Sequence, residues 1–359
     1  MIDAGDRAYV YAKACGILSK SFVGKRLHLL SRLRTLSEFD RMVFPDSHKE
    51  LPGNELLADL EKRIEARSVS QIISIIKQYK KPPKLLLLQL RAYEYSGLKT
   101  CLHHIASGDK ELPSIYDIGK RYGTISFAAY PDIHAMLKES DLNYLLSDNR
   151  ITNVNSDNLM ALEIELDRYY YNEVNKSLDM LSDEDSRIAR VILAEEISLR
   201  NCVWAFRLRR YFNKNSIQTA KFLLKIKMKV DLDEKKITFG QTSDYVKKTV
   251  SLEKEAVQSL DMPLDSRAPW HGWRWEKFLN PEKSEDKWLV DPRFFQNASA
   301  QYLNHLAQKH VHQMPMAVGS VFCFVKLKQF EENILTSIAE GLGLGMDNND
   351  VFRLLEIPA

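Results

Sequence analysis

Cysteine is scarce in this chain, and its few cysteines stand far apart. Only four occur among 359 residues, and no two of them have CxxC spacing. They are Cys15, Cys101, Cys202 and Cys323. This distribution argues against a disulfide framework and against a cysteine-ligated zinc site, and it is typical of buried thiols in a reducing compartment.

The chain also lacks an excess of charge of one sign and a long apolar segment. Its 51 basic and 48 acidic residues leave a net charge of +3, which by itself does not indicate a nucleic-acid-binding protein. The N-terminus has no uninterrupted apolar stretch typical of a signal peptide. The longest apolar run, Met316–Val325, spans about half a bilayer at most, so we expect no membrane crossing.

The strongest pattern present is a pair of long amphipathic helices over Ser156–Phe212. Ser182–Asp185 fits a capping box, which would begin the second helix by satisfying its free N–H groups. Apolar residues four apart form one ridge of the first helix, while charged residues occupy its other faces. The ridge consists of Leu162, Leu166, Tyr170, Val174 and Leu178. The sequence therefore predicts a helical hairpin.

This hairpin is repeated in the chain. The stretch that begins at Leu57 and Leu60 has the same order of charged and apolar residues as the stretch that begins at Leu159 and Leu162. In this earlier copy, Lys80–Pro83 separates the two helices. A looser third copy covers Pro292–Glu340, with its break at His312–Pro315 and Gly341 as its C′ residue. We predict an all-α fold of three pseudo-symmetric helical bundles. The predicted repeats are residues 1–110, 111–228 and 229–359, the last with an insertion at about 229–291.

The segments outside the hairpins are less regular. Tyr9–Phe44 is interpreted as two helices, and Val250–Leu260 as another. Lys225–Val230 alternates with period two and predicts either a short strand or a helix end, whereas Asp231–Ser243 is largely polar. The aromatic cluster Trp270–Trp275 belongs to the predicted insertion. It is either a partner-binding surface or the anchor of the insertion on the third bundle.

Several groups of residues could indicate chemistry. Ser182–Ser186 with Asn155–Asn158 could supply oxygen ligands for Mg²⁺ in an all-helical enzyme, but helix capping accounts for the same acids. Gly341–Gly345 follows a helix instead of opening one, so it is interpreted as a turn and not as a phosphate loop. Asp347–Asp350 lacks the glycine and glutamate of a calcium loop and is interpreted as a helix cap.

The histidines and the basic groups can likewise be interpreted as functional or as structural residues. His305, His310 and His312, like the adjacent His103 and His104, lack complementary metal ligands and are expected at a surface or an interface. The basic groups are Arg207–Arg210 and Lys225, Lys227 and Lys229, for which a solvated face or a protein interface is favoured over nucleic acid or lipid. We predict no catalytic, cofactor-binding or metal-binding residue and no cofactor.

Several segments resemble one family along nearly the whole chain. The chain is similar to the C subunit of the V/A-type rotary ATPases, which is called subunit d in eukaryotic V-ATPases. The matching segments are Tyr9–Lys13, Leu30–Leu33, Leu162–Tyr170, Glu196–Asn201 leading to Arg207, and Phe324–Ile334 running to Gly341.

The resemblance implies a funnel of three helical bundles on the cytoplasmic face of a membrane. Such a subunit is a non-catalytic central-stalk adaptor that joins the rotating shaft to the ring of proteolipid subunits. It thereby couples ATP hydrolysis or synthesis to H⁺ or Na⁺ transport. Its expected partners are shaft and ring, with no nucleic acid and no small-molecule substrate. Two alternatives remain: a helical-repeat adaptor unrelated to rotary ATPases, and an all-α enzyme that uses Asp183 and Asp185.

Overall fold

The computed structural model describes residues 4–119, 121–147, 154–230, 248–282 and 287–357. The polar stretch Asp231–Ser243, part of the predicted insertion, lies outside these residues. Helices dominate the part that is described, which confirms the all-α class. They are α1 Ala4–Leu18, α2 Leu36–Val43, α3 Gly53–Ile76, α4 Lys84–Ala106, α5 Ile133–Leu137, α6 Tyr144–Ser147, α7 Leu159–Asp179, α8 Asp183–Tyr211, α9 Ser216–Phe222, α10 Lys254–Ser259, α11 Pro292–His310, α12 Val318–Gly343 and α13 Asn348–Leu354.

The helix pairs expected from the repeated pattern are present. Helices α3 and α4 are separated at the two prolines of Lys80–Pro83, and α7 and α8 at Ser182. Helices α11 and α12 are separated around His312–Pro315. The long apolar ridges and the breakers between them therefore located all six helices correctly, because each helix buries the face that the spacing marks.

A small sheet interrupts the helical structure. Strand β1, Lys227–Val230, pairs antiparallel with β2, Lys248–Ser251, so the period-two alternation does indicate a strand. Met228 and Val230 are buried, whereas Lys227 and Lys229 are exposed. The pattern in the sequence is thus the pattern of burial on the two faces of the strand.

Some boundaries differ from those that the sequence suggests. Val250 and Ser251, predicted as the start of a helix, belong to β2, and α10 begins at Lys254. The second predicted helix within Tyr9–Phe44 is a 3₁₀ segment, Gly24–Arg32, followed by the separate helix α2, whose cap is Thr35. Gly341 is not the C′ residue of α12, since the helix continues to Gly343. Gly345 has the left-handed φ of +74°, and the Met346 N–H donates to the Gly341 carbonyl. The helix therefore ends in a Schellman motif one turn later than expected.

The chain forms two compact units. One consists of the described residues up to Ser68 together with those from Ser182 onward, and the other is Val69–Leu181. Within the first unit α8 packs on α11 and α12, and within the second α7 packs on α4. The division into three repeats concerns internal similarity rather than compactness, and its boundaries stay a prediction.

The first unit contains two hydrophobic cores of different composition. The aliphatic core lies between the 3₁₀ segment, α2, α3, α12 and α13 and is built mostly of leucine, isoleucine and valine. It includes Leu30, Leu60, Ile64, Ile334 and Ile338. The aromatic core lies between α8, α10, α11 and the segment that precedes α11. It includes Phe206, Trp270, Trp273, Trp275, Trp288 and Phe295.

The second helix of each predicted pair carries a buried polar side chain that binds backbone outside the pair. Glu94 of α4 accepts hydrogen bonds from the Thr124 and Ile125 N–H groups, each at 2.5 Å. Other members of this set are Asn201 of α8, which accepts from the Leu224 N–H at 2.8 Å, and Glu331 of α12, which accepts from the Phe22 N–H at 2.7 Å. Because a buried N–H group without an acceptor costs stability, these side chains fix the connecting segments onto the helices.

Candidate interaction groove

Helices α8 and α11 enclose an open groove on the first unit. It has a volume of about 250 Å³. On α8 the lining residues Arg200, Trp204 and Arg207 stand four and three residues apart, so they share one face of the helix. On α11, Ser299 and Ala300 form a floor of small side chains between Gln296 at one end and Leu303 at the other. The helices run antiparallel, since Arg207 contacts Gln296 near the start of α11.

The groove has an uneven charge along its length. At one end Glu196 pairs with Lys326 at 2.8 Å. At the other end Arg207 donates a hydrogen bond to the neutral Gln296, and no carboxylate among the described residues lies within ion-pairing distance of it. Burial lowers the pKa of the Arg207 guanidinium, and the positive charges of Arg200 and Arg293 lower it further. Positive charge therefore accumulates where α8 passes the first turn of α11.

Asp185, one of the two acids in the enzyme hypothesis, has structural partners. Ser182 caps α8 by accepting from the Asp185 N–H at 3.2 Å, as half of the predicted capping box. The Asp185 carboxylate takes no part in the other half. It receives two bonds from Arg7, at 2.6 and 2.8 Å, and one at 2.9 Å from the Val318 N–H, which begins α12. Asp185 thus joins α1, α8 and α12.

The ionisation of Asp185 follows from these contacts. Burial by itself opposes the charged form of this carboxyl. The Arg7 guanidinium, the Val318 N–H and the Ser182 hydroxyl outweigh burial and hold the pKa of Asp185 below its ordinary value. The other half of the hypothetical Mg²⁺ set, Asn155–Asn158, is a turn in the second unit, where the Asn155 side chain accepts from the Asp157 N–H at 3.0 Å.

Two of the arginines in the predicted basic group are structural. Arg209 donates to the carbonyls of Ser259 and Met262, both at 2.8 Å. Arg210 donates to the Val290 carbonyl at 2.9 Å. They hold the segment between α10 and α11 against α8, so the expectation of a solvated face or an interface fails for them. By contrast, Lys225, which precedes β1, and Lys227 and Lys229 on β1 are all exposed.

The Trp270–Trp275 cluster is part of the aromatic core. Trp270 is 0% exposed, and its indole N–H donates to the Pro263 carbonyl at 2.9 Å. Its ring meets that of Phe206 on α8 edge-on, with centroids 5.5 Å apart. Trp273 stacks on Phe295 of α11 at 5.9 Å. Of the two alternatives for this cluster, the structure supports the anchor, because buried rings cannot form a docking surface.

The remaining candidates have ordinary structural roles. His310 is completely buried and hydrogen-bonded to Gln313, so the expected surface position is wrong for this histidine. His305 and His312 are exposed, and His312 lies 2.9 Å from the Tyr11 hydroxyl. Asp347 caps α13 as predicted, accepting from the Asn349 N–H at 2.8 Å. Within the described ranges, no group of three or more His, Cys, Asp or Glu side chains could hold a metal ion.

Comparison with known proteins decides the family. The family described as ATP synthase (C/AC39) subunit matches residues 48–352. The chain belongs to this family. The match covers every helix from α3 to α12, which includes the groove, the aromatic core and the three buried polar side chains Glu94, Asn201 and Glu331. It confirms the resemblance drawn from the residues.

A bacterial relative has the same extent as this member of the C/AC39 family. An uncharacterized protein of Treponema pallidum (strain Nichols) is 24% identical over 338 residues, which is 94% of this chain and 92% of the relative. The similarity therefore extends over nearly the full length of both chains. No helix in the described part of the chain is long and apolar enough to cross a membrane.

The groove is a feature of this family member that sequence reasoning missed. Glu196–Asn201 and Arg207 were recognised as a matching segment, but their position opposite α11 was not predicted. One signal was available: Arg200, Trp204 and Arg207 place charge and a partly buried aromatic on one face of a helix that is otherwise largely buried. The residues across the groove could not be found this way, because Gln296 is 89 positions from Arg207.

Proposed function

We propose that this chain is the central-stalk adaptor of a V/A-type rotary ATPase, joining the rotating shaft to the ring of proteolipid subunits. The observation that carries the proposal is the family match over residues 48–352, which makes the chain a subunit of an ATP synthase of this type. In this role the chain couples ATP hydrolysis or synthesis to the transport of H⁺ or Na⁺. It is a peripheral, non-catalytic subunit on the cytoplasmic face of the membrane.

The internal construction supports a mechanical role. A torque-transmitting joint needs stiffness, and in the first unit long helices are fixed to one another by buried polar contacts in addition to apolar packing. Asp185 joins three helices through Arg7 and Val318. Lys328 donates to the Ser21 hydroxyl at 3.1 Å and also pairs with the buried Glu331. Such contacts resist sliding of one helix along another, since sliding would leave buried charges without partners.

The test is recovery of the tagged chain from detergent-solubilised membranes of its own host, followed by mass spectrometry of what comes with it. We expect shaft, ring and catalytic ATPase subunits in defined proportions. Recovery of the folded chain without any of these subunits would refute the proposal. Recovery with a different, reproducible set of proteins would instead identify an adaptor unrelated to rotary ATPases.

A functional measurement distinguishes a subunit that is needed for coupling from one that is only bound to the complex. Membrane vesicles that lack the chain should retain ATP hydrolysis by the catalytic subunits but lose ATP-driven ion uptake, and adding the purified chain should restore the uptake. Hydrolysis and uptake that both persist without the chain would contradict a coupling role. Parallel measurements of H⁺ and Na⁺ uptake identify the ion.

A further inference from the structure

The shape of the α8/α11 groove matches one kind of partner. From Glu196 to Arg207 it follows twelve residues of α8, a rise of roughly 16 Å or three helical turns. Ser299 and Ala300 keep its floor low, so a third helix could approach the α8/α11 pair to ordinary packing distance. Trp204 and Leu303 offer apolar surface beside that floor. This is the arrangement in which an amphipathic helix is held along a groove.

The charges in the groove indicate which charge a helix bound there must carry. Arg207 is half-buried and donates a hydrogen bond to a neutral amide, and the neighbouring Arg293, which is exposed, adds charge of the same sign. A carboxylate brought to this end would gain charge-assisted hydrogen bonds from planar guanidinium groups. At the other end Lys326 already neutralises Glu196. The complementary partner is therefore acidic at the end that meets the start of α11.

We propose that the α8/α11 groove is the docking site for an acidic α-helical segment of the central shaft, with Arg207 inside the groove and Arg293 beside it as the carboxylate-binding residues. The proposal rests on the proposed function, because it places the partner within the rotary complex. It goes further by naming the surface, the shape of the partner and the charge that recognises it. The apolar residues supply contact area, and the arginines fix the position of the helix along the groove.

The first test is a photocrosslink within the intact complex. A benzoylphenylalanine residue replaces Gln296, which is exposed at the cationic end of the groove, and the assembled complex is irradiated on its native membranes. We expect a crosslink to a helix of a shaft subunit, at a position within about two turns of an Asp or Glu. A crosslink to a ring subunit, to lipid or to no other chain would overturn the proposal.

The second test measures the charge requirement. Arg207→Glu and Arg293→Glu are each expected to reduce the shaft recovered with the tagged chain by about tenfold or more, because like charges would then meet at the end of the groove where these two residues lie next to each other. Arg293 is exposed, so its variant should fold even if the Arg207 variant does not. The matched control is Lys221→Glu, an exposed lysine of α9 that does not line the groove and should leave recovery unchanged.

The outcomes separate the two proposals. If the unmodified chain recovers no rotary ATPase subunit, the proposed function fails, and the groove proposal fails with it. If the unmodified chain recovers the complex and both arginine variants recover it equally well, only the groove proposal is wrong. Loss of the shaft in the Arg293 variant, with circular dichroism unchanged and the lysine control intact, supports the groove as the docking site.

Discussion

The aliphatic core and the aromatic core of the first unit are built in different ways. The aliphatic core joins amphipathic helices whose apolar faces are visible in the sequence, such as Leu60 and Ile64 on α3. The aromatic core instead fixes a largely irregular segment to α8 and α11 by means of a few very large side chains. The comparison teaches that regular periodicity is one way to bury a surface, and that anchoring by tryptophan is another.

The largest expected effect is on the aromatic core. Trp270→Ala removes the ring that contacts Phe206 and Trp273, and large-to-small changes of a buried aromatic cost about 3–5 kcal/mol. We expect the urea midpoint to fall and protease cleavage to appear within residues 254–282 before the rest of the chain is cut. Trp270→Phe, which keeps an aromatic ring, serves as the control. Uniform loss of protection along the first unit would show that the two cores unfold together.

A somewhat smaller effect is expected in the aliphatic core. Leu60→Ala in α3 should cost about 2–5 kcal/mol, because the neighbouring helices close only part of the cavity. Combining it with Trp270→Ala sharpens the comparison. If the cores are independent, the two losses in unfolding free energy add to within about 0.5 kcal/mol. A deviation larger than this would demonstrate coupling through α12, which lines the aliphatic core and packs on α8 and α11 of the aromatic core.

The third expectation concerns the anchor at the edge of the aromatic core. Asn201→Ala leaves the Leu224 N–H and the carbonyls of Leu224 and Leu252 without their side-chain partner, for a loss of about 1–3 kcal/mol. Asn201→Asp keeps the acceptor but places a buried carboxylate against the two carbonyls, so its loss should equal or exceed that of the alanine variant. Faster hydrogen exchange at Leu224 in both variants is the readout. Unchanged exchange there would mean that β1 holds this segment without Asn201.

The smallest expected effect is a change in pH dependence at the junction between the cores. Because the folded-state pKa of Asp185 is depressed, its contribution is complete above the ordinary carboxyl pKa of about 4 and is lost as the pH falls through the folded value. The unfolding free energy of the parent should therefore decrease more steeply below pH 4 than that of Asp185→Asn. Denaturation at a series of pH values tests this. Parallel curves would contradict a role for the ionised carboxylate.

Much of the fold follows from local pattern. The ridge through Leu162 and Leu166 and the prolines at Lys80–Pro83 located helices, and the alternation at Lys225–Val230 located a strand. What could not be predicted depends on contacts between distant positions. Asp185 was assigned to a helix cap, but its carboxylate meets Arg7, 178 residues away. The same limit applies to the groove, since the face of α8 is visible in the sequence whereas its neighbour α11 is not.

The route of the chain through the first unit has a consequence for biosynthesis. Phe22 and Leu30 belong to a core that α12 and α13 complete, and the bond from Phe22 to Glu331 spans 309 residues. At ordinary translation speeds, roughly 15–60 seconds pass between the synthesis of Phe22 and the synthesis of Glu331. The unit Val69–Leu181, being continuous, has all its residues long before then. The nascent chain therefore carries an exposed apolar surface through most of its synthesis, which is a binding site for chaperones on the ribosome.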